Sequence, residues 1–303
     1  MIVPTSRARH TASEREHWNR TLHLIEPTEL AAVLAQPGML RTVVVDCRHD
    51  LSRPDWGCEE FAAGHIPGAV FAHLDRDLSS PVTLQSGRHP LPDPAALASF
   101  LGAAGIDAAT RVVAYDQDRS MYAARLWWLL RWLGHERVAV LNGGLAAWRA
   151  LGLPLEATAA TPAARQFIAR ASLVRAVTTA EVERDVASGR ILLLDARGAD
   201  RFAGQNETID PVAGHVPGAR NRPFALNLDG DGRLLPAATL GALWRTVLGA
   251  TPPTQVVAMC GSGVTACHNL LAMELAGLPG ARLYAGSFSE WIRDPRRKVV
   301  TGA

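Results

Sequence analysis

The segment VVVDCR at residues 43–48 decides the fold, because it returns as LLLDAR at residues 192–197. The motif GHIPGA at residues 64–69 returns as GHVPGA at residues 214–219, after almost the same distance along the chain. Two further pairs keep the same order at similar spacing: RVVAYD with QVVAMC, and LNGGLAAW with YAGSFSEW. A long repeat of this kind predicts one domain that is present twice.

Short apolar runs recur in both halves, and TVVVD, RVVAY and ILLLD are examples. Such runs are typical of strands that are buried on both faces of a parallel sheet. Between them lie helical patterns, several of which open on Thr or Pro and close on Gly. The alternation predicts an α/β fold with two tandem domains, each a parallel sheet with helices on both faces.

Composition sets the expected domain boundaries. Residues 1–20 are polar and mixed in charge, and we expect a flexible lead-in there. The stretch 152–172 is rich in Ala, Pro and Thr and has weak periodicity, which indicates a linker. The two domains are therefore expected at residues 21–151 and 173–303, close to the usual size of a domain.

Bulk composition excludes several classes of function. A net charge of +2 over 303 residues gives no basic field for nucleic acid. No apolar stretch approaches the roughly 20 residues that span a bilayer, so no membrane partner is expected. The N-terminal residues have no apolar core of a secretory signal, which favours a cytoplasmic protein. The cysteines show no C-x2-C spacing, so neither a zinc site nor another metal or organic cofactor is expected.

The two halves differ at one aligned position. The strand VVA ends on Asp116 in the first half and on Cys260 in the second. The loop after Asp116 reads QDRSMYA, whereas the loop after Cys260 reads GSGVTAC. Only the second half therefore has a thiol and two glycines at this strand end, and we expect it to be the catalytic copy.

Cys260 has the setting that a reactive thiolate requires. A helix N-terminus and backbone N–H donors lower the pKa of a cysteine, and both follow directly in the sequence. Gly261 and Gly263 allow the backbone to curl so that N–H groups point inward. Ser262 and Thr265 add hydroxyl donors, and ligands of open α/β sheets bind at this end of the strands.

Three interpretations of the glycine loop compete. GSGVTA fits a dinucleotide pattern, but it comes late in its domain and no acidic residue follows at the required distance. A cysteine phosphatase needs arginine at the sixth position after its cysteine, where this chain has Ala266. Both observations favour the third interpretation, a loop that holds one sulfur atom on Cys260.

The repeated GHIPGA and GHVPGA motifs, the segment DARGADRF and the loop CGSGVTACH together resemble the two-domain rhodanese-type sulfurtransferases. The resemblance covers roughly residues 22–295. The CGSGVTA loop is similar to that of 3-mercaptopyruvate sulfurtransferases, whereas thiosulfate-type enzymes typically carry basic residues where this chain has Gly261 and Ser262.

The resemblance implies a mechanism in two half-reactions. Cys260 would take sulfur from a small-molecule donor as a persulfide, and a thiol, thioredoxin or cyanide would collect it. Gly261, Gly263, Val264 and Thr265 would form the substrate-binding loop around that sulfur.

Four further side chains receive expected roles from the resemblance. Arg201 would bind the carboxylate of the donor, and Ser262 would relay a proton to the departing enolate. His65 would reach across the domain interface toward Ser262, with Asp55 orienting it. Because His215 occupies the same motif in the second half, a structural role for both histidines is the alternative.

One departure affects the expected donor. Mercaptopyruvate enzymes often carry a second arginine after the RF dipeptide, and residues 203–214 contain none. The alternatives are therefore a thiosulfate:cyanide sulfurtransferase and, from another class, a non-catalytic persulfide carrier or docking module.

Overall fold

The computed structural model describes residues 23–36 and 41–302. The expected lead-in at residues 1–20 lies outside the described residues. None of the helices in the described part of the chain has the length and apolar character that a transmembrane span requires.

The first domain contains a five-stranded sheet in which all strands are parallel. Its strands are β1 (Leu24–Ile25), β2 (Thr42–Asp46), β3 (Val70–Phe71), β4 (Arg111–Tyr115) and β5 (Val138–Leu141). The spatial order is β1-β5-β4-β2-β3, with the long β2 and β4 side by side at the centre. The repeated VVVDCR segment thus forms a central strand, as its unbroken apolar character predicts.

Alternate residues of β2 point to opposite faces of this sheet. Val44 packs into one apolar cluster, whereas Val43 and Val45 pack into another. Helices cover both clusters, which confirms the predicted layer arrangement. One face carries α1 (Pro27–Ala35), α2 (Trp56–Ala63) and α5 (Gly144–Ala150), and the other carries α3 (Pro94–Ala103) and α4 (Met121–Trp132).

The second domain repeats the arrangement. Its parallel strands are β6 (Ala176–Val177), β7 (Leu192–Asp195), β8 (Arg220–Asn221), β9 (Val256–Met259) and β10 (Arg282–Tyr284). Their order, β6-β10-β9-β7-β8, is the order of the first sheet with each strand replaced by its counterpart. The duplication predicted from the sequence is therefore present in the topology.

Helices also cover both faces of the second sheet. Alternation along β9 sends Val257 and Met259 to one apolar cluster and Val256 and Ala258 to the other. The helices are α6 (Thr179–Ala187), α7 (Ala199–Phe202), α8 (Ala237–Leu248), α9 (Thr265–Leu275) and α10 (Ser287–Trp291), with short 3₁₀ turns at Phe224–Asn227 and Pro253–Gln255.

The two domains share one apolar core. Helix α4 of the first domain packs against α9 of the second, and these helices are counterparts in the repeat. Trp127 and Trp128 of α4 are buried in the same cluster as Leu270 and Met273 of α9. Burial of two tryptophans contributes several kcal/mol, so the contact holds the two sheets in a fixed relation.

Residues 152–172 contain no helix or strand of their own and lie along the first domain. The backbone of Glu156 pairs with that of His65, and the backbone N–H groups of Arg165 and Arg170 donate to carbonyls of that domain. Phe167 is buried in the shared core. These contacts hold residues 152–172 against the first domain.

Candidate active site

Cys260 lies at the carboxyl end of β9, directly before the loop that leads into α9. It is 2% exposed. The N–H of Gly263 donates to its Sγ at 3.1 Å, and the hydroxyl of Ser287 accepts from its backbone N–H at 3.0 Å. The sulfur therefore sits against an N–H donor at the entrance to a helix, where negative charge is stabilised.

Gly263 is required at its position for two reasons. Its φ of +80° lies in the left-handed region, and a Cβ there would lie 2.4 Å from the carbonyl oxygen of Ala285. The carbonyl belongs to backbone and cannot rotate away. The N–H that faces Sγ is thus held by a turn that only glycine can make without strain.

Replacement of Gly263 by alanine is expected to lower the free energy of unfolding by about 3 kcal/mol or more, because left-handed strain adds to a backbone collision. Gly277→Ala serves as the control, since Gly277 has a φ of +71° and open space around it. Its expected loss is about 1 kcal/mol. Urea denaturation measures both, and equal losses would contradict the collision.

In the first domain, the loop after the equivalent strand donates its N–H groups to a side-chain carboxylate. The carboxylate of Asp116, at the end of β4, accepts from the N–H groups of Ser120, Tyr122 and Ala123 at 2.8–3.2 Å. Burial raises the pKa of Asp116 to about 6. The strand end that carries the Cys260 thiol in one copy therefore carries a buried carboxylate in the other.

Ser262 forms its hydrogen bond with His89 of the first domain. His89 Nδ1 lies 2.7 Å from Ser262 Oγ, and His89 Nε2 lies 3.3 Å from Asp75 Oδ1. Burial lowers the pKa of His89, which favours the neutral ring, and the hydrogen bond from His89 lowers the pKa of Asp75. With the Nε2 proton donated to Asp75, Nδ1 is free to accept the hydroxyl proton of Ser262.

The expectation for His65 is wrong. His65 is buried against the ring of Phe61, and its Nδ1 bonds the carbonyl of Phe61 while its Nε2 faces Glu156. His215 repeats this geometry in the second domain, stacked on Phe202 and bonded to its carbonyl. Both histidines therefore pack the repeated GH(I/V)PGA motif, and His65 does not bond Ser262.

Asp55 does not orient His65 either. Its side chain is 83% exposed, at the N-terminus of α2. The imidazole facing it is that of His73, with Nε2 of His73 3.9 Å from Asp55 Oδ1. Asp55 and His65 stand at opposite ends of α2, so the expected contact does not form.

A cavity of about 230 Å³ opens beside Cys260 at the junction of the two domains. Its wall includes the loop residues Cys260, Gly261, Ser262, Val264 and Thr265, together with side chains of both domains. A larger cavity of about 300 Å³ lies along residues 167–173 and touches no predicted site residue. We regard the smaller cavity as the candidate site because the nucleophile faces it.

Arg201 and Arg88 reach this cavity, and Arg197, which is paired with Asp195, also lines it. Arg201 donates to Glu207 at 2.8 Å and to Asp210 at 3.1 Å, and Arg88 of the first domain pairs with the other oxygen of Asp210. Both arginines line the cavity, with side chains 20% and 24% exposed. Residues 203–214 thus supply carboxylates that hold the two cations, instead of an arginine of their own.

The absence of a side chain at Gly261 makes room for Arg88. A Cβ at this position would lie 2.7 Å from Nη2 of Arg88 and 3.7 Å from Nη2 of Arg201. The first domain therefore places a positive charge beside the loop that follows Cys260, and residues 261–265 carry no charge of their own.

Arg125 of α4 donates hydrogen bonds to backbone carbonyls on both sides of the domain junction. It is fully buried, and its Nη1 donates to the carbonyl of Gly263 while its Nη2 donates to those of Leu78, His89 and Pro90. Burial lowers the pKa of Arg125, and Cys260 and Cys267 offset this. The guanidinium is thus a buried positive charge next to the reactive loop.

Two stretches of the chain, residues 26–151 and 178–294, match the rhodanese-like domain. The chain belongs to the rhodanese-like family. A probable 3-mercaptopyruvate sulfurtransferase of Pseudomonas aeruginosa is 48% identical over 92% of this chain and 98% of its own length. A putative thiosulfate sulfurtransferase of Mycobacterium tuberculosis is 36% identical over 92% and 97%. The 3-mercaptopyruvate sulfurtransferase of Leishmania major superposes with a TM-score of 0.78 at 33% identity, covering 89% of this chain and 74% of that one.

Sequence reasoning missed His89, Asp75 and Arg88 of this rhodanese-like chain. All three lie between β3 and α3, a long stretch without helix or strand. The repeat contained one signal that could have excluded His65. Because His215 is its counterpart in the second half, His65 has a structural role that both domains require. A residue that acts on Cys260 alone is expected where the copies differ, and residues 72–93 are longer than their counterpart, residues 222–236.

Proposed function

We propose that the protein is a sulfurtransferase that takes sulfur from 3-mercaptopyruvate onto Cys260 and passes it to an acceptor, releasing pyruvate. The observation that carries the proposal is the approach of the His89–Ser262 pair to the cavity in front of Cys260. A proton relay at that place serves a leaving group that must be protonated on carbon. The relatives named as 3-mercaptopyruvate sulfurtransferases support the same donor.

In the first half-reaction the Cys260 thiolate attacks the donor sulfur. The new S–S bond forms as the C–S bond of the donor breaks, and the electron pair of that bond leaves on the three-carbon fragment as the enolate of pyruvate. As the persulfide gives up its S–H proton to Ser262, Ser262 passes its own hydroxyl proton to Nδ1 of His89, and the proton then returns through Ser262 to the enolate carbon. The persulfide loses the former S–H proton, so overall this proton ends on the methyl group of pyruvate.

The N–H of Gly263 and the buried cation of Arg125 stabilise the product of this step. A persulfide anion on Cys260 places charge where Sγ now accepts from Gly263. Preorganised donors of this kind need no rearrangement as the charge develops. In the second half-reaction a thiol, thioredoxin or cyanide attacks the outer sulfur and restores the Cys260 thiolate.

We assign the carboxylate of the donor to Arg201 and Arg88. Both guanidinium groups line the cavity, and both share Asp210, which a substrate carboxylate can replace as their partner. Because the cationic pair also suits a sulfonate oxyanion, thiosulfate is the second candidate donor. The similarity to a putative thiosulfate sulfurtransferase supports thiosulfate as the second candidate donor.

The described cysteines are free thiols, which fits a reducing cytoplasm in which thiol acceptors are kept available. We therefore place the activity there, with small thiols and thioredoxin as the natural acceptors.

The experiment compares the two donors on the purified chain. With 3-mercaptopyruvate we expect pyruvate in step with acceptor turnover, a gain in mass of one sulfur atom, and a higher kcat/KM than with thiosulfate. A higher kcat/KM for thiosulfate would reverse the donor assignment. Stoichiometric loading without turnover would indicate a persulfide carrier, and no loading from either donor would exclude both.

Substitution of Arg88 by glutamine is expected to raise KM for 3-mercaptopyruvate by about 10- to 100-fold and to change kcat little. A hydrogen bond to a charged group is worth about 1.5–3 kcal/mol, and it acts on the bound donor and transition state alike. Steady-state pyruvate release measures both constants.

Arg293→Gln is the comparison for this variant. Arg293 also bridges the domains, with Nε donating to the carbonyl of Ser86, but it does not line the cavity. Its KM should stay near that of the parent. An unchanged KM in Arg88→Gln would remove Arg88 from the donor site.

A further inference from the structure

Three potential metal ligands lie close together next to the His89–Ser262 pair. His49, Asp75 and His89 each offer a ligand atom, and these atoms all lie within 4.8 Å of one another. They come from separate places, His49 from the segment after β2 and the other two from the loop before α3. No motif in the sequence brings them together, because their proximity arises only from the fold.

His49 has a ring that could offer a nitrogen to a ligand. It is 2% exposed, and its ring nitrogens are not among the fully buried polar atoms that lack a partner in the described part of the chain. Its backbone carbonyl accepts from Gln117, and its ring meets those of His73 and Tyr122 edge-on. The ring can therefore present a nitrogen beside the carboxylate of Asp75 and the imidazole of His89.

Neighbouring His73 is engaged elsewhere. Its Nδ1 accepts the backbone N–H of Asp75 at 3.1 Å, and its Nε2 faces Asp55 at 3.9 Å. It therefore shapes the loop that carries Asp75 and is not a ligand itself.

We propose that His49, Asp75 and His89 form a site for Zn²⁺ or a similar divalent transition-metal ion, and that an ion bound there inhibits sulfur transfer. Two imidazoles and one carboxylate are the ligand types that zinc takes, and they leave a fourth position for water. Mg²⁺ and Ca²⁺ prefer oxygen ligands alone and would not suit this set.

One pair of ligand atoms already has the separation found in a tetrahedral site, and the other pairs lie within 4.8 Å. Neighbouring ligand atoms of tetrahedral zinc lie roughly 3.3–3.5 Å apart, since each bond is about 2.0–2.1 Å long. Nε2 of His89 and Oδ1 of Asp75 are 3.3 Å apart. The side chain of Asp75 is 41% exposed, so it can turn toward the ion and gives the ion a route from solvent.

The expected inhibition depends on which ring nitrogen of His89 the ion binds. An ion on Nε2 of His89 replaces the proton that this atom donates to Asp75, and the remaining ring proton must then sit on Nδ1. Nδ1 faces Ser262 at 2.7 Å and would donate to the hydroxyl instead of accepting its proton. The relay would stop without any change at Cys260.

The binding experiment uses Cys260→Ser, which removes the thiol that would otherwise take zinc. Calorimetric titration of this variant with Zn²⁺ is expected to show one ion per chain. Adding His49→Phe keeps the ring contacts and removes the nitrogens, and we expect affinity to fall by roughly 100-fold or more. His73→Phe in the same background should keep the affinity. Binding that is absent from Cys260→Ser, or that survives His49→Phe, would overturn the site.

The activity experiment uses chains that retain Cys260. Zn²⁺ should inhibit pyruvate release by the parent, and His49→Phe should turn over at the parental rate and require at least about tenfold more Zn²⁺ for the same inhibition. Equal inhibition of the two would put the inhibiting ion on Cys260 and overturn the proposed control of the relay. The calorimetry on Cys260→Ser involves no turnover, so its outcome is independent of the proposed function.

Discussion

Replacement of Cys260 by serine is expected to reduce sulfur transfer by at least roughly 10³-fold, because a hydroxyl at this position is neither ionised nor able to carry sulfur. The fold should persist, since Sγ and Oγ both accept the N–H of Gly263. The variant should release no pyruvate and gain no sulfur mass with either donor. Steady-state turnover and intact mass after incubation with donor measure the two effects.

Cys58→Ser provides the comparison for this result. Cys58 is a partly exposed free thiol on α2, with Sγ accepting from Arg76. Its loss should leave both turnover and loading intact. If Cys260→Ser still gained sulfur and Cys58→Ser did not, the nucleophile would have been assigned to the wrong domain.

Substitution of His89 by asparagine is expected to reduce kcat with 3-mercaptopyruvate by about 10²-fold or more, as loss of a general acid–base group does. The amide can still bond Ser262, so the loop should stay in place. With thiosulfate, sulfite leaves as an anion and needs no proton, and the rate with this donor should fall far less. The ratio of the two kcat values is the measurement.

His65→Asn separates the relay from simple packing. His65 is fully buried against Phe61, so its loss should lower stability by about 1–3 kcal/mol and leave the donor ratio unchanged. Thermal unfolding and the same two rates report on it. A change in the donor ratio for His65→Asn, with none for His89→Asn, would restore the role predicted from the sequence.

The sheets could be predicted from the sequence because their signals are local, and the prediction that Cys260 is the nucleophile rests on signals of the same kind. Runs such as VVVDCR and LLLDAR have the apolar pattern of central strands. The glycines after Cys260 predict the tight turn that Gly263 makes. The topological match of the two sheets then followed from the repeat, since equal patterns in equal order fold alike.

The second half of the site could not be predicted in this way. His89 reaches Ser262 across the domain junction, and its position depends on how α4 packs against α9 and on the carbonyls that Arg125 holds. No spacing along the chain encodes that distance. His65 was preferred because it stands in a conspicuous motif, but a motif present twice describes what both domains need in order to fold.

The shared pocket has a consequence for how the chain can change over evolutionary time. The first copy carries Asp116 at the strand end where the second carries Cys260, yet it contributes Arg88 to the cavity beside Cys260 and His89 to the hydrogen bond with Ser262. We therefore expect substitutions in either half to act on the same site, and loss of either half to remove residues from it. On the proposed function, selection would retain the first copy because it completes the site around the cysteine of the second.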